Sequence, residues 1–402
     1  MLRRSLLALA PSVLLAGTTR PWSEVERMLQ SGNIEGRLSV DDLPTPALLV
    51  DLDALDANIT KMAAHCKSKG RGLRPHGKTH KCPEIARKLV AAGAVGACAA
   101  KLSEAEAFAQ VGIRGLLVTG AVIGRHKIER AILLAKRQPE TIFCVDDAGN
   151  VADLDAAAQA AKIQLNLAID LNVGNRTGIQ PGDPALELAH VIAKQKNVKL
   201  ALLQAYAGHA SHKNGFAERK VMSEGIMRNA AETRRRIEAD GIPCPILSGG
   251  STGTYNIDSD VDGVTELQPG SFVFMDIDYA RIGDADGPVY RDFQFSLSVL
   301  TSVVSKPSKT DVVVDGGLKA FSTDKPFKPE PKGIEGVEFS YGGDEHGKLN
   351  LAKASRQLAL GDRVEFRVPH CDPTVNLYDR IYAVRGKQVI AAWPISARGK
   401  SQ

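Results

Sequence analysis

The chain has 402 residues, too many for one ordinary hydrophobic core and a good length for a barrel plus a smaller domain. With 44% hydrophobic and 24% charged residues it has the composition of a soluble globular protein. A formal net charge of +5, spread without a long Lys/Arg block, argues against nucleic acid and for a small anionic ligand. The cysteines at 66, 82, 98, 144, 244 and 371 form no CxxC pair, so neither a disulfide scaffold nor a zinc ribbon is indicated.

Residues 1–22 look like a signal. Arg3-Arg4 precede an apolar run from Ser5 to Ala16, and no acidic residue appears before Glu24. Such a run is too short to span a bilayer as a mature helix. The adjacent arginines followed by Ser5-Leu6-Leu7 resemble a twin-arginine export signal, with a Sec signal, a presequence, an uncleaved anchor or a cytoplasmic chain as alternatives. A polar linker is expected over 23–43.

Apolar runs then alternate with helix-like segments. Strands are expected at 47–52, 72–77, 95–99, 115–120, 142–145, 164–170, 200–206, 245–248 and 270–276, and helices at 82–92, 103–111, 126–136, 151–161, 184–194 and 217–239. Strand-helix alternation of this length predicts α/β architecture with parallel strands closed into a (β/α)8 barrel. Nine strand candidates for eight places leave one surplus. From about residue 291 strands expected at 293–304, 311–314, 337–341, 363–368, 380–384 and 388–392 are joined by Gly, Pro and charged turns, and 325–332 reads as a loop. The expected organisation is thus a barrel over 44–285, with 44–55 able to pair with the second unit, and an all-β domain over 286–402.

Reactive groups of such a barrel sit at the carboxyl ends of its strands. Arg74-Pro75-His76-Gly77-Lys78-Thr79-His80-Lys81 closes the run at 72–77; in extended backbone His76, Lys78 and His80 share one side. Neighbouring cations there are expected to depress the Lys78 pKa and make it a nucleophile, the alternative being a basic solvated loop. Arg176, between Gly174 and Gly178, is placed to hold a phenolate or carboxylate. Tyr206 and His212 lie in the next strand-end segment, where a histidine offers a general base. Gly250 and Ser251, then Gln268, Gly270 and Ser271, are glycine-serine turns whose backbone can approach a phosphate closely. In the β region His370 and Asp372, two apart, can share one divalent cation while Cys371 points away.

Together, Pro-His-Gly-Lys-Thr-His-Lys and the late His-Cys-Asp-Pro-Thr-Val-Asn resemble the fold type III pyridoxal phosphate enzymes, in particular the D-threonine aldolase and D-serine dehydratase family. The resemblance runs from about Leu43 to Trp393. It implies Lys78 as the Schiff-base lysine, Arg176 at the cofactor's ring oxygen, Tyr206 beside the ring, and Gly250, Ser251, Gly270 and Ser271 around the phosphate. It also implies that the 47–52 strand joins the β domain, which removes the surplus strand. Gln268 stands where related alanine racemases carry an arginine facing the pyridine nitrogen.

Dehydratases of the family pair the histidine with a cysteine two residues on, whereas Asp372 matches the D-threonine aldolases. The implied reaction is therefore cleavage of a small D-3-hydroxy amino acid to glycine and an aldehyde. His212 is then the base, and His370 and Asp372 hold a divalent metal, manganese first, with magnesium, cobalt or zinc as alternatives. Glu345 and His346 are expected to orient that metal. A D-serine or 3-hydroxy-D-aspartate dehydratase and a pyridoxal phosphate binder without turnover are the other readings. A homodimer is implied by the resemblance alone.

Overall fold

The computed structural model describes residues 20–34, 36–174 and 176–402. The signal-like run up to residue 19 lies outside them. Among the described residues no helix is long and apolar enough to cross a membrane.

The central element is an eight-stranded parallel sheet. Its strands, Gly72–Leu73, Ala97–Ala99, Leu116–Val118, Ile142–Val145, Leu165–Asp170, Val198–Ala205, Ile246–Gly249 and Glu266–Leu267, are ordered so that the last is bonded to the first. The sheet curls on itself, and its ends meet where His76 bridges Cys98: Cys98 N–H donates to the Pro75 carbonyl at 2.9 Å and Gly77 N–H to the Cys98 carbonyl at 2.8 Å. Cys98, Leu117, Ile142, Cys144, Ala168 and Leu202 fill the interior, while the facing sides of Pro83–Ala91, Leu102–Gln110, Arg125–Arg137, Ala148–Ala161 and Asp183–Lys194 seal the outside. Small and branched apolar side chains at alternate strand positions permit this two-sided burial.

The strand expected at 270–276 does not form. Pro269 removes a ladder donor, and beyond it Ser271–Val273 is a tight helical turn that buries Phe272, Val273, Phe274 and Met275 completely. The eighth strand is instead Glu266–Leu267. The stretch read as a polar linker also has structure: Trp22–Ser31 is a helix, ended by Gly32 in the left-handed region. One side of it, Val25 with Met28 and Leu29, packs on Leu38, Leu43 and Leu49, and its other positions are polar except the exposed Trp22.

A second, mostly antiparallel sheet is built on Leu297–Ser305, which pairs with Ala47–Asp51, Asp311–Val314 and Arg363–Arg367. Ala47–Asp51 also pairs with Arg380–Arg385, so this strand belongs to the second sheet. Asp51 then caps helix Leu52–Ser68 by accepting from the N–H groups of Asp53 and Ala54, which leads the chain into the barrel. The segment expected to be a loop at 325–332 contributes the short edge strand Glu330–Pro331.

One buried carboxylate joins the two sheets. Asp276 accepts from Tyr279 N–H and Cys371 N–H, both at 2.9 Å, while Ile277 N–H and Asp278 N–H donate to Val368 and Pro369 at 3.1 and 3.2 Å. The His370–Asp372 segment is thereby docked over the barrel mouth.

Candidate active site

Just beyond the first barrel strand, His76 bridges Cys98. Gly77 comes so close to Phe108 that an added Cβ would lie 2.5 Å from its ring, and the chain turns through Lys81 at φ +49°. Because of this turn His76, Lys78 and His80 do not share one side as extended backbone would require. His76, Lys78 and Thr79 line a cavity of about 130 Å³. His80 packs behind it, 5.9 Å from the Phe108 ring, with Nδ1 accepting from Cys82 N–H at 3.1 Å.

The electrostatics of this cluster reverse the sequence-based expectation. Burial, with Lys78 and Lys81 nearby, pushes His76 well below its ordinary pKa, and burial takes His80 to about 4. Burial alone would lower Lys78 too, but Tyr206 and Asp372 outweigh it and its pKa is raised. The histidines yield their protons, and the lysine keeps its own. His76 Nδ1 accepts from Lys78 N–H at 3.3 Å, and its Nε2 lies 3.4 Å from Thr119 Oγ1.

Around the same cavity stand Tyr206, His212, Ser251, Gln268, Gly270, Ser271, His370 and Asp372, so residues far apart in sequence meet at Lys78. Lys78 Nζ is 5.4 Å from the Tyr206 ring centroid. Arg176 is exposed and lies in an adjoining cleft of about 240 Å³ that shares Tyr206, its guanidinium carbon 5.5 Å from the ring centroid.

Gly250 turns the seventh strand into its loop at φ +72°, with Leu267 and Asp258 3.0 and 3.1 Å from where a Cβ would sit. Gly270 has Thr79 Oγ1 at 2.5 Å from such a Cβ, so only glycine fits. Ser251 is tied inward: its N–H donates to Thr254 Oγ1 at 3.2 Å and its hydroxyl to Ser211 Oγ at 2.6 Å. Thr254 in turn donates to Asp258, a fully buried carboxyl raised by burial to about 6.

His370 is extended, but Cys371–Val375 is a helical turn rather than a continuing strand. His370 Nδ1 lies 2.6 Å from Asp324 Oδ2, which orients the other ring nitrogen. Asp372 is held charged despite burial by Lys78 and His370, with a hydrogen bond from Thr79. Cys371 is fully buried, and its thiol is pushed up by burial. Glu345 and His346 are exposed, and Glu345 is paired with Lys319 at 2.5 Å, so neither supports His370. Among the described residues no three His, Cys, Asp or Glu side chains converge as a metal cluster; His370 and Asp372 remain a pair.

His212 Nδ1 lies 3.0 Å from Asp278 Oδ2, and Lys325 Nζ lies 2.8 Å from the same oxygen. Burial would raise Asp278, yet these two partners hold it at about 2. The His212 ring also packs on Tyr279 with centroids 4.6 Å apart. Asp278, Asp324 and Lys325 were not singled out from sequence. Each is separated by tens of residues from the side chain it serves, and only Asp278, two beyond a buried Asp276, carries a local signal.

A family model described as "Alanine racemase, N-terminal domain" matches residues 50–278, more than half of the chain, and one described as "Putative serine dehydratase domain" matches 296–384. The chain is 38% identical over 364 residues to the 3-hydroxy-D-aspartate aldolase of Paracoccus denitrificans (strain Pd 1222) and 36% identical over 359 residues to the D-threonine aldolase of an Arthrobacter species. Each alignment covers 89% of this chain and 93% of the relative. The crystal structure of D-threonine aldolase from Filomicrobium marinum superposes with a TM-score of 0.86 at 38% identity, over 91% of this chain and 100% of that one. The curled parallel sheet, the second sheet and the site assembled between them agree with these matches: the chain belongs to the fold type III pyridoxal phosphate enzymes of the alanine racemase type, within the group that includes the D-threonine and 3-hydroxy-D-aspartate aldolases.

Proposed function

We propose that this protein is a pyridoxal phosphate- and divalent-metal-dependent aldolase that cleaves D-3-hydroxy amino acids of the D-threonine type to glycine and an aldehyde. The observation that carries this reading is the placement of an oriented base, His212 on Asp278, and a His-x-Asp pair around one lysine.

The residues present fit the cofactor. Lys78 supplies an amine, Gly250 and Gly270 make a cup that side chains would fill, and Gln268 Oε1 is a buried acceptor without a protein partner. When bound, pyridoxal phosphate supplies an electron sink for the pair released at Cα. A hard cation on His370 and Asp372 would supply a Lewis acid for the substrate's β-oxygen. The imidazole and carboxylate suit such a cation, and the cavity is lined by Asp372 at the place two residues after His370 where a His-x-Cys dehydratase carries its cysteine; this favours the aldolase.

The chain's own part is proton transfer and orientation. Asp278 fixes His212 through Nδ1 and leaves Nε2 to take the β-hydroxyl proton. As the Cα–Cβ bond breaks, the β-carbon leaves as the aldehyde and Cα receives a proton to give glycine. Lys78, held near Asp372 and Tyr206, is the amine that would hold the cofactor. Two further parts of the proposal rest on sequence and family alone: export directed by Arg3-Arg4, and a homodimer.

Asp372→Asn separates the two roles at this site. It should keep the visible cofactor band, bind Mn²⁺ at least tenfold more weakly and lose turnover. Full turnover of D-threonine by that variant would remove the metal from the proposal.

A further inference from the structure

The orientation of the Gln268 amide is set by a buried relay. Arg74 and Glu266 pair through Nε to Oε1 at 2.9 Å and Nη2 to Oε2 at 2.8 Å, so both Glu266 oxygens act as acceptors. Ser248 Oγ lies 2.6 Å from Glu266 Oε1, and its single proton goes there. At its next contact Ser248 must therefore accept. That contact is the Gln268 amide at 2.8 Å, which has to present Nε2–H and cannot be flipped. Its Oε1 is the opposite end of the same planar group. It is buried and finds no donor in the protein, on a side chain that is 1% exposed and lines the cavity.

An unmade buried acceptor is costly, so the missing donor belongs to what the cavity holds. Pyridoxal phosphate has few donors to offer. Its phenolic oxygen and phosphate oxygens chiefly accept, and its carbonyl is committed to Lys78. The ring nitrogen accepts when bare and donates only when protonated. We infer that Gln268 Oε1 accepts a hydrogen bond from the cofactor's ring nitrogen and holds that nitrogen in its protonated, pyridinium form, with Arg74, Glu266 and Ser248 as positioning residues. An amide free to turn would tolerate either form; this one is wired to favour one. The inference rests on cofactor occupancy of the cavity and does not depend on which bond of the substrate is cleaved.

The test uses the full chain loaded with cofactor labelled with ¹⁵N in the ring, without substrate. Loading is monitored separately by the visible band, which Lys78→Ala should abolish. The expected result is a ¹⁵N shift in the pyridinium region for the native chain and for Gln268→Glu, moving toward the neutral pyridine region in Gln268→Leu. Ser248→Ala, which frees the amide without touching the cavity wall, should move part of the way and serves if Gln268→Leu does not fold. A cofactor analogue with C–H in place of the ring nitrogen should bind at least tenfold more weakly than pyridoxal phosphate to the native chain and about equally to Gln268→Leu. A neutral ring nitrogen in the native chain, or an unchanged ¹⁵N shift in Gln268→Leu with a ³¹P change instead, would overturn the inference. A chain that takes up no cofactor would overturn the cofactor reading itself, and this inference with it.

Discussion

His212 Nδ1 sits 3.0 Å from Asp278 Oδ2, across the joint where the second sheet docks on the barrel. With Nδ1 turned toward the carboxylate, Nε2 is the ring nitrogen left for substrate. Asp278 also takes Lys325, a residue of the second sheet's connections, so the base is oriented by both halves of the molecule. Replacing Asp278 by Asn should cost about 10²-fold in kcat, the lower end of what a positioned base contributes. Cofactor uptake, followed by the visible band, should stay as in the native chain. Unchanged kcat would show that His212 needs no orientation.

Asp324 should matter for metal and not for cofactor. Its carboxylate lies 2.6 Å from His370 Nδ1, and such outer partners typically carry 10–100-fold in metal affinity. Asp324→Ala should weaken Mn²⁺ binding by about that factor in a direct titration. Glu345→Gln, which removes an exposed partner of Lys319, should leave Mn²⁺ affinity alone.

Gly77→Ala is expected to destabilise the fold. Its Cβ would sit 2.5 Å from a Phe108 carbon and 3.2 Å from the Cys98 carbonyl, at the point where the curled sheet closes. Overpacking of this kind costs roughly 1–3 kcal/mol. Urea midpoints for native and variant chains read the loss directly, and equal midpoints would mean that Phe108 moves aside freely.

Asp258 makes a pH prediction. Burial raises its pKa from 3.8 to about 6 despite hydrogen bonds from Ser223 and Thr254. Because the folded value is the higher one, the native chain binds more protons than the unfolded chain between about pH 4 and 6. Stability from this group therefore falls as pH rises through that window, by roughly 3 kcal/mol in the limit. Asp258→Asn cannot ionise, so its stability relative to the native chain should rise from pH 4 to pH 6 and then level off. A difference that stays flat across that range would contradict the buried ionisation.

Much of this was legible because it is local. The strand-helix alternation follows from hydrophobic periodicity, and Gly-rich turns at strand ends marked where Lys78, Tyr206, Ser251 and Gly270 come together. The apolar run at 270–276 misled because burial alone does not distinguish a strand from a tightly packed turn after Pro269. Lys78 was expected to be depressed by its sequence neighbours, but Tyr206 and Asp372, both far along the chain, reverse the sign. Glu345 and His346 were chosen as metal support by residue type, and the fold puts Asp324 there instead. The Asp372 and Asp324 contacts are made only by the docking of the two sheets.

The most direct test of the central claim is one tube holding the purified chain with pyridoxal phosphate, Mn²⁺ and D-threonine, assayed for acetaldehyde, glycine and ammonia. Equal amounts of acetaldehyde and glycine are expected, with no ammonia and with loss of both products on chelation. Ammonia with 2-oxobutanoate would contradict it and show that a His-x-Asp site directs loss of the β-hydroxyl.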